Sequence, residues 1–263
     1  REAGEMPTAL ITGASSGLGE QFAYALARQR HDLVLVARRG DRLEQVAARA
    51  KELGAARVEI KAMDLGRRET PQAICDQLKH DQIEIHYLVN NAGFGTSGRF
   101  NQLALERELE EIDLNVTALV NLTHLLLPAM IARHGGTIIN VASTAAFQPV
   151  PYMTTYAATK AFVLSFTEGL AGELAGSGIR VMALCPGPVK TEFQAVARNE
   201  RAMVPSFVWV PAERVVADAI AAAASGRMIY IAGALNFVTA QSTRFLPRAM
   251  VNFIARRVYR PAD

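Results

Sequence analysis

Seven short apolar runs, separated by longer stretches of helical spacing, constrain this chain more than any other feature. They are Thr8–Ile11, Asp32–Ala37, Arg57–Ala62, His86–Val89, Thr137–Ala142, Ile179–Leu184 and Met228–Ile231. Most are β-branched and near-continuous rather than alternating, the pattern of strands buried on both faces of a parallel sheet. Between them, Leu18, Phe22, Ala25 and Leu26 share one helical face, and Leu43, Val46, Ala50 and Leu53 another, with Gly54 a natural stop. Longer helices are expected over Asn101–Arg133, Thr154–Leu174 and Pro211–Ala224. Such alternation builds βαβ units with right-handed crossovers. The expected fold is α/β: a Rossmann-type, doubly wound, mostly parallel seven-stranded sheet with helices on both faces. No linker or solenoid repeat breaks it, so residues 1–263 read as a single domain.

Bulk properties exclude several functions. A net charge of +3 gives no electrostatic case for a nucleic-acid binder. Cys75 and Cys185 stand far apart in no metal or redox motif, and the five His have no ligand spacing, so no metal is expected. Two such cysteines suit a reducing compartment. No run of 18 uninterrupted apolar residues occurs, and Arg1–Pro7 lacks the apolar core of a signal peptide. The expectation is a cytoplasmic protein.

The first strand leads into Thr12-Gly13-Ala14-Ser15-Ser16-Gly17-Leu18-Gly19. Glycines there permit a tight turn and close backbone approach, and the following helix offers free N–H groups and a positive dipole end to a pyrophosphate. A plain strand-to-helix turn would also suit three glycines; the placement favours the phosphate reading. The second strand ends in Val36-Ala37-Arg38-Arg39 with no acid before Asp41. An acid at that place would hold a ribose hydroxyl, whereas guanidinium groups match a phosphate. Two surface arginines would be oddly placed at a positive helix start. The cofactor expected is therefore NADP(H), with Ser15 adding a hydroxyl.

Tyr156 and Lys160 lie four apart at the start of a helix and share one face. A free phenol, with a pKa of about 10, is a poor base at neutral pH. A nearby ammonium would favour the phenolate and let Tyr156 exchange a proton with an alcohol or carbonyl oxygen. An anchoring Tyr and a snorkelling Lys give the same pair without chemistry. Ser143, at the end of the fifth strand and 13 residues before Tyr156, supplies a hydroxyl for a substrate oxygen or a turn cap. Asn115, polar inside an apolar helix, marks a local distortion.

The TGxxxGxG loop, Asn90-Asn91-Ala92-Gly93, Ser143 and Tyr156-Ala-Ala-Thr-Lys160 occur in the order seen in short-chain dehydrogenase/reductases, and the chain resembles their shorter, single-domain branch from about Thr8 to Ile231. The resemblance implies a catalytic set of Asn115, Ser143, Tyr156 and Lys160, with Asn115 holding a water that links Lys160 to solvent. It implies cofactor contacts from Gly13, Ser15, Ser16, Gly17, Leu18 and Gly19, from Arg38 and Arg39, and from Asp64 beside Leu65, although Asp64 would equally serve as a helix cap. It adds Asn91, Ala92 and Gly93 on the adenosine side, Lys160 on the nicotinamide ribose beside Tyr156, and Pro186, Gly187, Val189 and Thr191 around the carboxamide. The implied activity is NADP(H)-dependent hydride transfer between a hydrophobic carbonyl compound and its secondary alcohol, in a homodimer or homotetramer built on the two long helices. A non-catalytic NADP(H)-binding regulator on the same fold is the alternative, but it has no need of all four catalytic residues. A nucleotide-sugar epimerase or dehydratase is disfavoured by the glycine spacing.

The segment from about 190 to 212, with Phe193, Met203, Phe207 and Trp209, reads as an apolar substrate lid. Phe94, Phe147, Pro149, Pro151 and Tyr152 are expected to complete the pocket. The tail from about 235 to 263 reads as a basic amphipathic helix after Pro247. Packing over the active site or a subunit neighbour is favoured for it, with membrane-surface contact the second reading.

Overall fold

The structure is a computed structural model that describes residues 6–189 and 209–259. Seven strands form one sheet: β1 Thr8–Thr12, β2 Asp32–Ala37, β3 Val58–Ala62, β4 Ile85–Asn90, β5 Gly136–Val141, β6 Ile179–Pro186 and β7 Ile229–Ala232. Their order is β3-β2-β1-β4-β5-β6-β7, and every pairing is parallel. This is the doubly wound arrangement expected, and the order reverses between β1 and β4. The helices are α1 Gly17–Arg28, α2 Gly40–Leu53, α3 Thr70–His80, α4 Leu105–Ile112, α5 Ala118–Ala132, α6 Thr154–Glu173, α7 Ala212–Ala224, α8 Ala234–Ser242 and α9 Arg248–Val258.

The apolar strand runs divide their residues between two cores. Ala9 and Ile11 of β1 join Phe22, Leu26, Leu43 and Val216 from α1, α2 and α7. Leu10, between them, joins Ile74, Leu122, Met130 and Leu170 from α3, α5 and α6. Both faces of the sheet are therefore dry, which is why the strands show no polar alternation. Phe22 is wholly buried. Between the layers, Asn90 donates to Thr123 Oγ1 at 3.0 Å and Asn140 Oδ1 at 2.8 Å, and Asn140 donates to Thr167 Oγ1 at 3.0 Å. This buried chain fixes the ends of β4 and β5 against α5 and α6, where the site residues begin.

Two sequence expectations are corrected. Helix α3 was not foreseen; its apolar stripe is only Ile74, Cys75 and Leu78, although Pro71 in its first turn is a start signal. The helix expected over Asn101–Arg133 begins at Leu105, after a 3-10 turn at Phe100–Gln102. It carries a π turn at Asp113–Thr117 centred on Asn115, the distortion that the polar residue announced. The resulting run Leu105–Ala132 is long and apolar enough by composition to cross a membrane, yet its Leu119, Leu122 and Met130 are packed into the cores.

Candidate active site

The carboxyl ends of the strands open into a cleft of about 980 Å³ at the point where the strand order reverses. Gly13, Ser15, Ser16, Gly17 and Leu18 line one wall. Gly13 has φ +65° and Gly17 φ +59°, a left-handed backbone that favours glycine at both. Gly19 does not line the cleft: a Cβ there would stand 2.2 Å from the Gly13 carbonyl oxygen, so its role is close packing of loop on helix. Helix α1 starts at Ser16 with no side-chain cap, leaving its first N–H groups directed at the cleft. This is a cradle of the right chemistry for a pyrophosphate. Asn91 braces it, donating to the carbonyls of Thr12 at 2.9 Å and Gly13 at 3.3 Å.

Arg38 and Arg39 line the same end of the cleft and are exposed. The Arg39 guanidinium donates to Ser15 Oγ at 3.3 Å, which joins the expected arginine and hydroxyl in one group. Asp64 and Leu65 lie beside them in the wall; Asp64 accepts from the Gly66 N–H at 3.0 Å within its own turn and does not cap a helix, since the next helix starts at Thr70 with Glu69 as its N-cap. A dinucleotide carrying a 2′-phosphate fits these residues: uncapped N–H groups for the pyrophosphate, and two guanidiniums in place of an acid directly after β2.

At the other end of the cleft stand Ser143, Tyr156 and Lys160, all buried. Ser143, in extended backbone two residues past the end of β5, caps the turn that follows by accepting from the Ala145 N–H at 3.1 Å. It also hydrogen-bonds Tyr156. Lys160 donates to the Val141 carbonyl at 2.8 Å, which anchors its ammonium under the end of β5. Its Nζ lies 5.8 Å from the centre of the Tyr156 ring. Asn115 does not line the cleft. Its side chain accepts from the Phe94 N–H at 3.1 Å and donates to the Phe94 carbonyl at 2.9 Å and to Thr159 Oγ1 at 3.0 Å. What it does directly is clamp the loop after β4 onto α6. Gly93 fills the gap: a Cβ there would stand 2.7 Å from Asn115 Oδ1 and 3.4 Å from Lys160 Nζ.

Burial dominates the charge balance at this end of the cleft. Burial holds Tyr156 above the ordinary phenol range, and the Ser143 hydrogen bond offsets this only in part. The Lys160 ammonium is itself pulled down to about 8 by burial. Within the protein alone, desolvation outweighs the expected stabilisation of the phenolate, and Tyr156 stands as a neutral phenol able to donate its proton.

Ala92, Gly93, Pro186, Gly187 and Val189 also line the cleft, whereas Thr191 and the lid residues Phe193, Met203 and Phe207 lie outside the described residues. Trp209 borders the cleft. On the substrate side, Phe94 is placed as expected, with the Arg107 guanidinium 3.8 Å over its ring. Phe147, Pro149, Pro151 and Tyr152 are not in the wall. Phe147 turns instead into the packing between α6 and α8, and Pro149 is exposed, because the 3-10 turn Thr144–Phe147 points its first residues inward. Val150 and Met153 take their place.

Three contributors are not among the residues singled out from the sequence. Tyr259, one residue beyond α9, lines the cleft and packs with Val150, Met153 and Tyr156. Asn236 of α8 donates to the Ala232 carbonyl at 2.8 Å and stands where a Gly187 Cβ would be, 2.3 Å away. Glu111 is wholly buried one turn before Asn115; it accepts from Thr96 Oγ1 at 2.9 Å, and its other oxygen has no hydrogen-bond partner among the described residues. Burial, opposed by the Thr96 hydrogen bond, raises its carboxyl to about 7. Only its spacing from Asn115 could have pointed to it.

Comparison with known proteins agrees with this geometry. The family model described as short chain dehydrogenase matches residues 7–202. "Oxidoreductase UcpA" of Salmonella typhimurium is 35% identical over 251 residues, 90% of this chain and 94% of that protein. Among solved structures, a short-chain dehydrogenase from Sphingobium yanoikuyae in complex with NADPH superposes with a TM-score of 0.81 at 36% identity, covering 91% of this chain and 94% of the other. A bulky-bulky ketone specific alcohol dehydrogenase from Comamonas testosteroni does so at 0.78 and 31%, covering 92% and 93%. With its family model matched over most of its length and its cleft built from the residues described above, this chain belongs to the short-chain dehydrogenase family.

Proposed function

We propose that this chain is an NADP(H)-dependent oxidoreductase, built as a single domain, that interconverts a hydrophobic carbonyl compound and its secondary alcohol. The observation that carries the reading is one continuous cleft with Arg38, Arg39 and an uncapped helix start at one end, and Ser143, Tyr156 and Lys160 at the other. The bound dinucleotide supplies or accepts the hydride. Arg38 and Arg39 hold its 2′-phosphate, and the α1 N–H groups its pyrophosphate. Ser143 hydrogen-bonds the carbonyl oxygen of the substrate, and Tyr156 donates its proton to that oxygen as negative charge develops. Lys160, held at the Val141 carbonyl, supplies positive charge beneath the ribose and the phenol.

Phe94, Val150, Met153, Trp209 and Tyr259 give the substrate end an apolar wall, which supports a hydrophobic carbonyl. The likeness to a ketone-specific alcohol dehydrogenase supports the same substrate class. Leu105, Leu109 and Ile112 on α4 and Phe162 on α6 are exposed apolar residues, and they support a homo-oligomer assembled through these helices. The test is a panel of hydrophobic ketones and aldehydes followed by loss of NADPH absorbance. Turnover is expected with NADPH and is expected to be much weaker with NADH; no turnover with any carbonyl or alcohol, despite NADPH binding, would favour the regulator.

A further inference from the structure

Of the large hydrophobic side chains that stand exposed, more lie between Leu235 and Val258 than in all the rest of the described chain. The turn between α8 and α9 reads Arg244-Phe245-Leu246-Pro247-Arg248, and Phe245 at its tip is 86% exposed. Helix α9 anchors to the protein through Val251 and Ala255, both buried. The adjacent line of Met250, Ile254 and Val258, four residues apart, faces outward, about half exposed, with nothing among the described residues closing over it. Arg244, Arg248, Arg256 and Arg257 are exposed around this line, and the sequence has no acidic residue between Asp218 and Asp263.

We propose that the α8–α9 turn and helix α9 form a docking surface for an anionic lipid bilayer. The chemistry is that of an interfacial helix: an apolar line with an aromatic tip to enter the acyl boundary, and flanking guanidiniums to meet lipid phosphates. A second copy of the chain fits less well. A twofold contact would set these arginines against their own copies with no carboxylate to pair them. Helix α9 lies on the bilayer rather than crossing it, since Arg248–Val258 is far shorter than a membrane span.

The surface is joined to the site. Thr243 Oγ1 donates to the Phe147 carbonyl at 3.2 Å, and the chain leaving α9 reaches the cleft wall at Tyr259. A bilayer against α9 therefore lies beside the apolar end of the cleft, which makes a membrane-dissolved carbonyl compound the substrate class. That last step rests on the oxidoreductase reading; the docking surface does not.

The test is sedimentation of the full chain with vesicles of phosphatidylcholine alone or mixed with phosphatidylglycerol. Binding is expected only with the anionic mixture, and it falls as salt rises. Arg248→Gln with Arg257→Gln is expected to weaken it about 30-fold. Phe245→Ser with Ile254→Ser is expected to weaken it on the order of a hundredfold. Turnover of a small water-soluble ketone should be unchanged in both. Absence of binding, equal binding to neutral vesicles, or a smaller oligomer in the Phe245→Ser, Ile254→Ser variant would overturn the proposal, the last by making a second copy the occupant. If the wild type binds anionic vesicles yet turns over no carbonyl, the docking surface stands and the oxidoreductase reading fails.

Discussion

Replacing Glu111 by Gln isolates the consequence of burying a carboxyl next to the site. Burial raises this group from 4.5 to about 7, with the Thr96 hydrogen bond opposing and the neighbouring Glu108 adding to the shift. An acid whose pKa is higher in the folded state binds its proton more tightly there, so the protein is most stable below the unfolded pKa. Between about pH 4.5 and 7 the folded state keeps a proton that the unfolded chain has released, and stability falls as pH rises. The full loss, reached above pH 7, is about 3 kcal/mol. At about 2 cal/mol/K per residue of unfolding entropy, that corresponds to about 5 °C in Tm for a chain of this length. Gln keeps an oxygen for Thr96 but cannot ionise. Thermal unfolding of both proteins, scanned from pH 5 to 8.5, is expected to show the variant gaining about 5 °C on the wild type across that range. Parallel Tm curves would refute the reasoning, because they would mean that Glu111 carries the same protonation in the folded and unfolded chains.

Arg38→Ala with Arg39→Ala is expected to weaken NADPH binding by on the order of a hundredfold while changing NADH binding little, as read from fluorescence titration with each cofactor. Gly93→Ala inserts a Cβ at 2.7 Å from Asn115 Oδ1. Overpacking of that kind costs about 1–3 kcal/mol, so chemical denaturation should show the loss and kcat should fall with it. Tyr259→Ala opens the apolar end of the cleft. It is expected to raise KM for bulky hydrophobic ketones about tenfold and leave that for small ones unchanged, since one side chain in an apolar pocket discriminates by about 1–3 kcal/mol.

The sheet was legible because buried parallel strands leave unbroken apolar runs, and each run became a strand to within a residue or two. That Ser143, Tyr156 and Lys160 share one end of the cleft was legible for a different reason: they are few, polar and fixed in spacing by the end of β5 and the start of α6. Helix α3 was hidden because a two-turn stripe of three apolar residues is no stronger than a loop's background. The pocket wall was misassigned at Phe147 because a single 3-10 turn is too short to repeat its period and so show its inward side, and at Tyr152 because it lies in an irregular turn before α6. Asn236 was illegible and Tyr259 was legible only as part of a tail expected to pack over the site, since both reach it by tertiary packing of α8 and α9. The burial that holds the phenol in its neutral form was not legible, because a sequence shows the ammonium but not the desolvation around it.

The central claim is that Tyr156 donates the proton in a hydride transfer that this cleft performs. Tyr156→Phe removes one oxygen and leaves the ring that packs on Met153 and Tyr259. Measured side by side, NADPH binding by fluorescence should stay within about threefold of wild type, while single-turnover ketone reduction should fall by about 100- to 10,000-fold, the contribution of a positioned general acid. Reduction at the wild-type rate by a variant that still binds NADPH would contradict the account.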